Sequence, residues 1–210
     1  MKVLIIASHF DDEIIGCGGT ILKHIKDGDK VFVAFACGKV TAFIDRGLIE
    51  TRRMHAKKVA ELMGIECIYI FDFPLIMLDT IPQYQIVSEL EKVIFTVKPD
   101  IIYTHNPKDI NSDHRVLCES TLVWCRPSKN SFTRDIYFYE TFGSTNRFLP
   151  NFYVDISNDI EKKIEAMSVY TTETNVQTRT IETIRNVAKY RGMEINVSYA
   201  EAFSVYRSIK

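Results

Sequence analysis

One short segment near the start of the sequence contains several side chains of the types that bind metals. The segment SHFDDE, residues 8–13, contains His9, Asp11, Asp12 and Glu13. His9 and Asp12 are three positions apart, so at a turn between a strand and a helix both side chains can face the same way. Catalytic zinc sites commonly use three imidazole and carboxylate ligands and leave one position for water. The segment therefore offers two ligands for a divalent metal, and Asp11 between them is free to act as a general base.

A second segment with the same side-chain types lies far along the chain. Residues 105–115, HNPKDINSDHR, hold His105 and His114 together with two aspartates. His114 could supply the third ligand of the metal site. His105 ends an apolar run, a position that favours a hydrogen-bonded histidine beside the site over a metal ligand.

Four apolar runs, separated by helical patterns, predict the elements that position the two segments. The alternation of buried strands with helices is typical of a parallel sheet with right-handed crossovers. We therefore expect an α/β fold with a Rossmann-like, doubly wound, mostly parallel sheet in three αβα layers. The runs are KVLIIAS (2–8), KVFVAFAC (30–37), CIYIFDF (67–73) and DIIYTH (100–105).

The two polar segments follow the first and the fourth of these runs. In an open parallel sheet, ligands bind beyond the carboxyl ends of the strands, where the winding direction reverses. If the first strand is central, the fourth is its neighbour across this reversal, and the two segments converge. Each segment alone has a plainer explanation, since acidic residues favour a helix N-terminus and Ser112 is a typical helix cap. Their expected convergence favours a divalent metal site.

The rest of the chain is predicted to extend the same sheet, so residues 1–210 are interpreted as one domain. Residues 38–50 lack periodicity and predict either a mobile loop over the site or a plain connection. A polar stretch, SKNS (128–131), precedes the last part of the chain. Further elements are expected at DIYFYET (135–141), NFYVDIS (151–157), Asp159–Tyr170, Asn175–Tyr190 and SYAEAF (198–203).

The glycines of GCGG, residues 16–19, raise the alternative of a dinucleotide site. That fingerprint needs GxGxxG directly between a strand and a helix. Here the glycines follow the acidic segment, whose charge would repel a phosphate. We expect them to allow close packing behind the site instead.

Charge and cysteine content exclude several classes of protein. Among 210 residues, 26 Lys and Arg balance 27 Asp and Glu, so the charge does not indicate a nucleic-acid partner. The first apolar run is too short for a signal peptide or a membrane span, so we expect no transmembrane segment and a cytoplasmic protein. The five cysteines form no CxxC pair, which indicates reduced packing residues rather than disulfides or a thiolate zinc site.

The two polar segments resemble the signatures of a known family. SHFDDEIIGCGG and INSDHR are similar to the two metal motifs of the PIG-L/LmbE-like family of zinc-dependent N-deacetylases. The resemblance continues in order through TRRMHAKKVAELMG, VKPDIIYTHNPKDINSDHR, YFYET, FYVDIS with EKKIEAMSVY, and RGMEINVSYAEAF. It covers nearly the whole chain. It implies an LmbE-like fold and removal of the N-acetyl group from an amino sugar of the N-acetylglucosamine type.

The resemblance also implies roles for individual residues. The zinc ligands would be the three side chains already singled out, His9, Asp12 and His114. Fe²⁺ or another divalent metal is the alternative to zinc. Asp11 would be the general base that activates water, and Asp113 would orient a ligand imidazole. Arg53 would be either a substrate contact or a solvated helix charge.

The chain departs from the family pattern at Asn111, three residues before His114. Family members have a histidine there that stabilises the oxyanion or protonates the leaving amine. Asparagine can donate a hydrogen bond to an oxyanion but cannot carry a proton. Either Asp11 serves as both base and acid, which we favour, or His105 takes part. Glu201 is expected to fix the end of the chain to the sheet or to position the substrate.

Three functions are compatible with these residues. The favoured one is a metal-dependent deacetylase acting on a small-molecule, lipid-linked or nucleotide-linked amino sugar, with a homo-oligomer as one option. The others are metal-assisted hydrolysis of a different amide and a non-catalytic module that binds a glycan or nucleotide. A free carboxylate beside three metal ligands favours a hydrolase over a binding module.

Overall fold

The apolar runs of the sequence form a seven-stranded β-sheet. The computed structural model describes residues 1–39, 46–127, 132–145, 147–174 and 176–209. In these residues, the strands are β1 (Lys2–Ala7), β2 (Lys30–Phe35), β3 (Cys67–Ile70), β4 (Ile101–His105), β5 (Asp135–Tyr139), β6 (Phe152–Asp155) and β7 (Ala200–Arg207). Their order in the sheet is β3-β2-β1-β4-β5-β7-β6. Neighbouring strands are parallel except at β7, which is antiparallel to both β5 and β6. The expected mostly parallel α/β sheet is confirmed.

Helices cover both faces of this sheet. In the described residues they are α1 (Asp12–Lys26), α2 (Arg46–Met63), α3 (Gln83–Val97), α4 (Ser112–Trp124), α5 (Ile160–Val169) and α6 (Ile181–Met193). Val3 and Ile5 of β1 pack in the core shared with α1, α2, α5 and α6. Leu4 and Ile6 face the opposite core, shared with α3 and α4. The three-layer αβα arrangement is therefore confirmed. Among the helices just named, none has the length and apolar character needed to cross a membrane.

The winding direction reverses between β1 and β4, which lie side by side. Leu4 pairs with Ile102, and the strands run parallel toward the same edge of the sheet. At that edge the backbone N–H of Ser8 donates to Nε2 of His105 over 2.9 Å. The polar segments that follow the two strands therefore meet, as expected from the sequence.

Two glycines let α1 approach the sheet closely. A Cβ atom added to Gly16 would lie 2.4 Å from Cδ2 of Tyr139. At Gly19 it would lie 2.5 Å from Cγ2 of Ile156. Both distances are shorter than van der Waals contact, so larger residues would push α1 away from its neighbours. The expected packing role of the GCGG segment is confirmed.

The strand β7 ties a late part of the chain to α1. Glu201 accepts the backbone N–H groups of Gly19 and Thr20 at 2.8 and 2.7 Å. It also pairs with Nζ of Lys163 at 2.6 Å, and Lys163 donates to the carbonyl of Ile15 at 2.9 Å. The Ile15 carbonyl and the Gly19 N–H are the groups that bond to each other in a regular α-helix. The buried ion pair thus contacts both polar groups of one helical turn, and Glu201 fixes β7 to that turn.

The helix α2 begins earlier than expected. It starts at Arg46, so residues 46–50 of the expected loop are helical, whereas residues 40–45 lie outside the described residues. Ile49 is buried on the same helix face as Ala56, seven positions further on, which explains the added turn. The polar stretch 128–131 also lies outside the described residues.

The helix α6 begins later than expected. Its first residue is Ile181, because the side chain of Thr180 accepts the N–H of Thr183 and caps the helix. A short 3₁₀ helix, Gln177–Arg179, precedes this cap. Asn175, where the helix was expected to start, lies outside the described residues.

Candidate metal centre and adjoining cavity

Three side-chain atoms converge where the segments after β1 and β4 meet. Nδ1 of His9 lies 3.2 Å from Nε2 of His114 and 3.3 Å from Oδ2 of Asp12. Nε2 of His114 lies 3.4 Å from the same Asp12 oxygen. Zinc binds such atoms at about 2.0–2.1 Å, which places tetrahedral ligands about 3.3 Å apart. The other Asp12 oxygen, Oδ1, is buried and has no hydrogen-bond partner among the described residues. The three side chains therefore fit a divalent metal.

Each imidazole is oriented by a carboxylate on its far side. Nε2 of His9 donates to Oδ2 of Asp113 at 2.9 Å, which leaves Nδ1 free to bind a metal. Nδ1 of His114 donates to Oδ2 of Asp109 at 3.0 Å, which leaves Nε2 free. Asp109 in turn accepts the hydroxyl groups of Ser144 and Thr145 at 3.0 and 2.9 Å. The two carboxylates select the tautomers that a metal site requires.

The carboxylates of Asp12, Asp109 and Asp113 favour positive charge on the imidazoles of His9 and His114. Burial alone would lower the pKa of His114, but Asp12 and Asp109 raise it to about 10. Burial is likewise outweighed at His9, whose pKa lies well above its usual value because of hydrogen bonds to Asp113 and Asp12. Burial would raise the pKa of Asp12, but the charge of His114 holds it well below its usual value. An environment that stabilises charge of this sign suits a bound cation.

His105 packs behind the candidate ligands. It is fully buried and stacks on His114, with ring centroids 3.9 Å apart. Burial and the charge of His114 hold the pKa of His105 well below its usual value, so the imidazole is neutral. Its Nε2 accepts the Ser8 N–H and therefore carries no proton at that atom. The geometry makes His105 a hydrogen-bonded neighbour of the cluster.

Asp11 differs from its neighbours in backbone and in surroundings. Its φ is 144°, in the region that favours glycine and costs other residues roughly 1–3 kcal/mol. Its carboxylate is buried, and neither oxygen has a hydrogen-bond partner among the described residues. Nη1 of Arg179 lies 3.2 Å from Oδ2 of Asp11. Burial raises the pKa of Asp11 to about 7 against the opposing charge of Arg179. A carboxyl group with such a pKa can take and return a proton at neutral pH.

Two further side chains hold the turn that carries Asp11. Oε2 of Glu13 accepts the backbone N–H of Asp11 at 3.1 Å. Oε1 of Glu13 accepts the hydroxyl of Tyr170 at 2.6 Å. Tyr170 is fully buried at the end of α5. These contacts support the unusual backbone conformation of Asp11.

A cavity of about 280 Å³ adjoins His9. Its polar lining residues are His9, Arg52, Asn111, Glu173 and Arg179. Oδ1 of Asn111 accepts the N–H of Asp113 at 2.9 Å and caps α4. The NH₂ group of Asn111 is therefore the part of this amide that is left to act as a donor. Ligand pockets are typically about 300–1,000 Å³, so this cavity suits a small ligand or one unit of a larger one.

The structure brings Arg52 to the cavity, and places Arg53 elsewhere. Nη2 of Arg53 donates to the carbonyl of Gly38 at 2.7 Å and pairs with Asp72 at 2.5 Å. Arg52 lines the cavity, and its Nε lies 2.5 Å from Oε1 of Glu173. Successive helix positions point about 100° apart, so only one of two adjacent arginines can face the cavity.

Several residues of the site were not singled out in the sequence, among them Asp109, Glu173 and Arg179. Asp109 lies five positions before His114, and a carboxylate so close to an expected ligand is a usable signal for an orienting group. Glu173 and Arg179 lie between α5 and α6, where no motif marks either residue. Arg179 ends the short 3₁₀ helix, inside the range in which a helix was expected.

Several known proteins are similar to this chain in sequence or in fold. Diacetylchitobiose deacetylase of Thermococcus kodakarensis is 28% identical over 220 residues, covering 95% of this chain and 81% of that protein. The structure of N,N'-diacetylchitobiose deacetylase from Pyrococcus horikoshii superposes with a TM-score of 0.81 at 24% identity, covering 98% of this chain and 84% of that one. The 4-carboxy-2-hydroxymuconate hydratase from Pseudomonas putida superposes with a TM-score of 0.77 at 19% identity, covering 100% of this chain and 97% of that one. The two structural likenesses show a shared fold.

The family assignment rests on a sequence profile. The profile of GlcNAc-PI de-N-acetylase, PIG-L, matches residues 4–125, a range that contains His9, Asp12 and His114. This range is more than half of the chain, and it includes both segments that meet at the cluster. The protein therefore belongs to the PIG-L family.

Proposed function

We propose that the protein is a metal-dependent hydrolase that removes the N-acetyl group from an acetylated amino sugar. One observation carries the proposal: three ligand atoms 3.2–3.4 Å apart lie next to the buried carboxylate of Asp11. This combination supplies both a metal site and a base, which amide hydrolysis needs and a binding module does not. The substrate class is supported by two relatives that are named as deacetylases of diacetylchitobiose.

Zinc is the ion we propose for the cluster, with Fe²⁺ or another divalent metal as the alternative. The residues that would hold it are His9, Asp12 and His114. Two imidazoles and one carboxylate are a common ligand set of catalytic zinc. When bound, the metal would polarise the acetamide carbonyl and lower the pKa of a water molecule, so that this water can attack at neutral pH.

Asp11 handles the proton in the proposed reaction. As the water oxygen bonds to the carbonyl carbon, Asp11 takes a proton from the water. The π electrons of the carbonyl group move to the carbonyl oxygen. The C–N bond then breaks, its electron pair stays on nitrogen, and Asp11 returns the proton to that nitrogen. The products are acetic acid, which ionises, and the free amine. The neutral and fully buried state of His105 supports this double use of Asp11.

The substrate is proposed to be a small-molecule, lipid-linked or nucleotide-linked amino sugar. A cavity of about 280 Å³ suits the acetylated sugar, with the remainder of the substrate outside it. The proposal includes a single domain over residues 1–210 that works in the cytoplasm. Light scattering after size-exclusion chromatography measures whether the protein forms a homo-oligomer.

The test combines metal analysis with an acetate-release assay. The substrates are N-acetylglucosamine, N,N'-diacetylchitobiose and UDP-N-acetylglucosamine, together with a panel of other amides. We expect one divalent metal per chain, acetate release from an amino sugar, and loss of release after treatment with a chelator. Asp11→Asn should keep the metal and lose turnover, whereas exchange of the exposed Asp27 for Asn should change neither. An Asp11→Asn protein with full activity would refute the assigned mechanism.

The panel also separates the other functions. Release of acid only from amides that are not amino sugars would identify hydrolysis of a different amide. Sugar binding measured by calorimetry, with no product from any substrate, would identify a binding module. The shared fold of the Pseudomonas putida hydratase makes this panel necessary, because fold alone does not define the reaction.

A further inference from the structure

Arg179 places a positive charge against the proposed base. Its Nη1 lies 3.2 Å from Oδ2 of Asp11 and 3.2 Å from Oε2 of Glu173. The side chain is 23% exposed, and it lines the same cavity as His9 and Asn111. The guanidinium therefore contacts a reacting group and also faces the space in which a substrate would bind.

A second arginine fixes this position. Oε1 of Glu173 lies 2.5 Å from Nε of Arg52, while Oε2 of the same carboxylate accepts from Arg179. Arg179 also ends the 3₁₀ helix that directly precedes the N-cap of α6. The Glu173 carboxylate between the two arginines and the position of Arg179 at the end of the 3₁₀ helix together direct the guanidinium toward Asp11. Both arginines of the described lining contact Glu173. Arg179 is the one that also forms an ion pair with Asp11.

The proposed reaction moves negative charge within reach of this cation. Before the attack the charge is on Asp11. When Asp11 takes the water proton, an equal charge appears on the former carbonyl oxygen in the same cavity. Asn111 also lines the cavity but carries no charge, and its Oδ1 is already used to cap α4. A fixed cation that contacts Asp11 and also lines the cavity can stabilise the charged tetrahedral state without needing to rearrange.

We propose that Arg179 is a catalytic residue that stabilises the negative charge of the tetrahedral state. A guanidinium stays protonated at neutral pH, so Arg179 takes no part in proton transfer and leaves both transfers to Asp11. This role rests on the proposed deacetylase function. It also places one catalytic group of the site outside the matched residues 4–125.

The first test is steady-state acetate release by Arg179→Gln, Arg179→Lys and Arg179→Ala. We expect Arg179→Gln to lower kcat by about 10²–10³, the usual cost of losing a donor to an oxyanion, with KM within threefold of wild type. Arg179→Lys should retain more kcat than Arg179→Gln because it keeps the charge. Added guanidinium ion should restore part of the kcat of Arg179→Ala. The matched control is Arg185→Gln, since Arg185 on α6 pairs with Glu161 on α5 and is not among the residues that line the cavity.

The second test measures binding by calorimetry. The probes are N-acetylglucosamine, which is neutral, and glucosamine carrying an N-methylphosphonyl group, which is tetrahedral and anionic. Arg179→Gln should weaken binding of the anionic probe at least tenfold and change binding of the neutral probe less than threefold.

Each outcome distinguishes this inference from the proposed function. Equal weakening of both probes, or a kcat within threefold of wild type in Arg179→Gln, overturns the role of Arg179 while leaving the deacetylase intact. A wild-type protein that releases no acetate from any amino sugar overturns the proposed function itself. A loss that guanidinium does not rescue, together with a lowered melting temperature, would assign Arg179 a structural role.

Discussion

Exchange of Asp109 for Asn should weaken metal binding without touching any proposed ligand. In the native protein, Oδ2 of Asp109 accepts Nδ1–H of His114, and Oδ1 accepts the backbone N–H of Asn111 at 2.9 Å. An asparagine has one acceptor oxygen, so its NH₂ group must face one of these two donors. If it faces His114, the imidazole moves its proton to Nε2, the atom that points toward His9 and Asp12. A protonated Nε2 cannot bind a metal.

The size of this effect follows from the loss of one orienting hydrogen bond. Loss of a partner that orients a ligand typically lowers metal affinity 10–100-fold, which equals about 1.4–2.8 kcal/mol. Zinc affinity of the purified protein can be measured by competition with a chromophoric chelator. The matched control is Asp27→Asn, since Asp27 is exposed at the end of α1. A zinc affinity of Asp109→Asn within twofold of wild type would show that Asp109 does not set the His114 tautomer.

Three further substitutions test the framework of the site. Asp11→Gly should abolish turnover because it removes the proposed base. It should also stabilise the fold by about 1–3 kcal/mol, because glycine accepts a φ of 144° without strain. A higher melting temperature than that of the wild type would confirm the stabilisation. Gly16→Ala should destabilise the fold by about 1–3 kcal/mol in urea unfolding, because its Cβ would lie 2.4 Å from the Tyr139 ring, and an unchanged midpoint would contradict this packing. Lys163→Met should lower the free energy of unfolding by about 3–5 kcal/mol in the same assay, because it leaves the Glu201 carboxylate buried without its cation. A decrease below about 1 kcal/mol would show that water reaches this carboxylate.

The sequence was informative where local patterning determines structure. The apolar runs predicted the parallel strands, and the reversal of winding predicted that the segments after the first and fourth strands would meet. His9, Asp12 and His114 could be chosen because each segment contributes ligand-type residues at the end of such a strand. The cluster distances agree with that choice.

The sequence pattern did not predict the contacts made by the connection between α5 and α6. Arg179 and Glu173 lie between α5 and α6, and their contacts with Asp11 and Arg52 depend on how the last helices pack on α1 and α2. The choice between Arg52 and Arg53 likewise depended on the rotation of α2 about its own axis. The buried face of α2, which sets that rotation, consists of Ile49, Ala56, Val59, Ala60 and Met63. Such side-chain pairs can be identified only from the three-dimensional packing of the helices.

The contact between Glu201 and α1 has a consequence for biosynthesis. Glu201 bonds to Gly19 across a separation of 182 residues. A ribosome that adds about 5–20 residues per second takes roughly 10–40 s to make that length of chain. Gly19 of α1 therefore leaves the ribosome well before Glu201, its partner on β7, is made. The packing of α1 against β7 is therefore completed late in the synthesis of each molecule, after the candidate ligands His9, Asp12 and His114 have all been made.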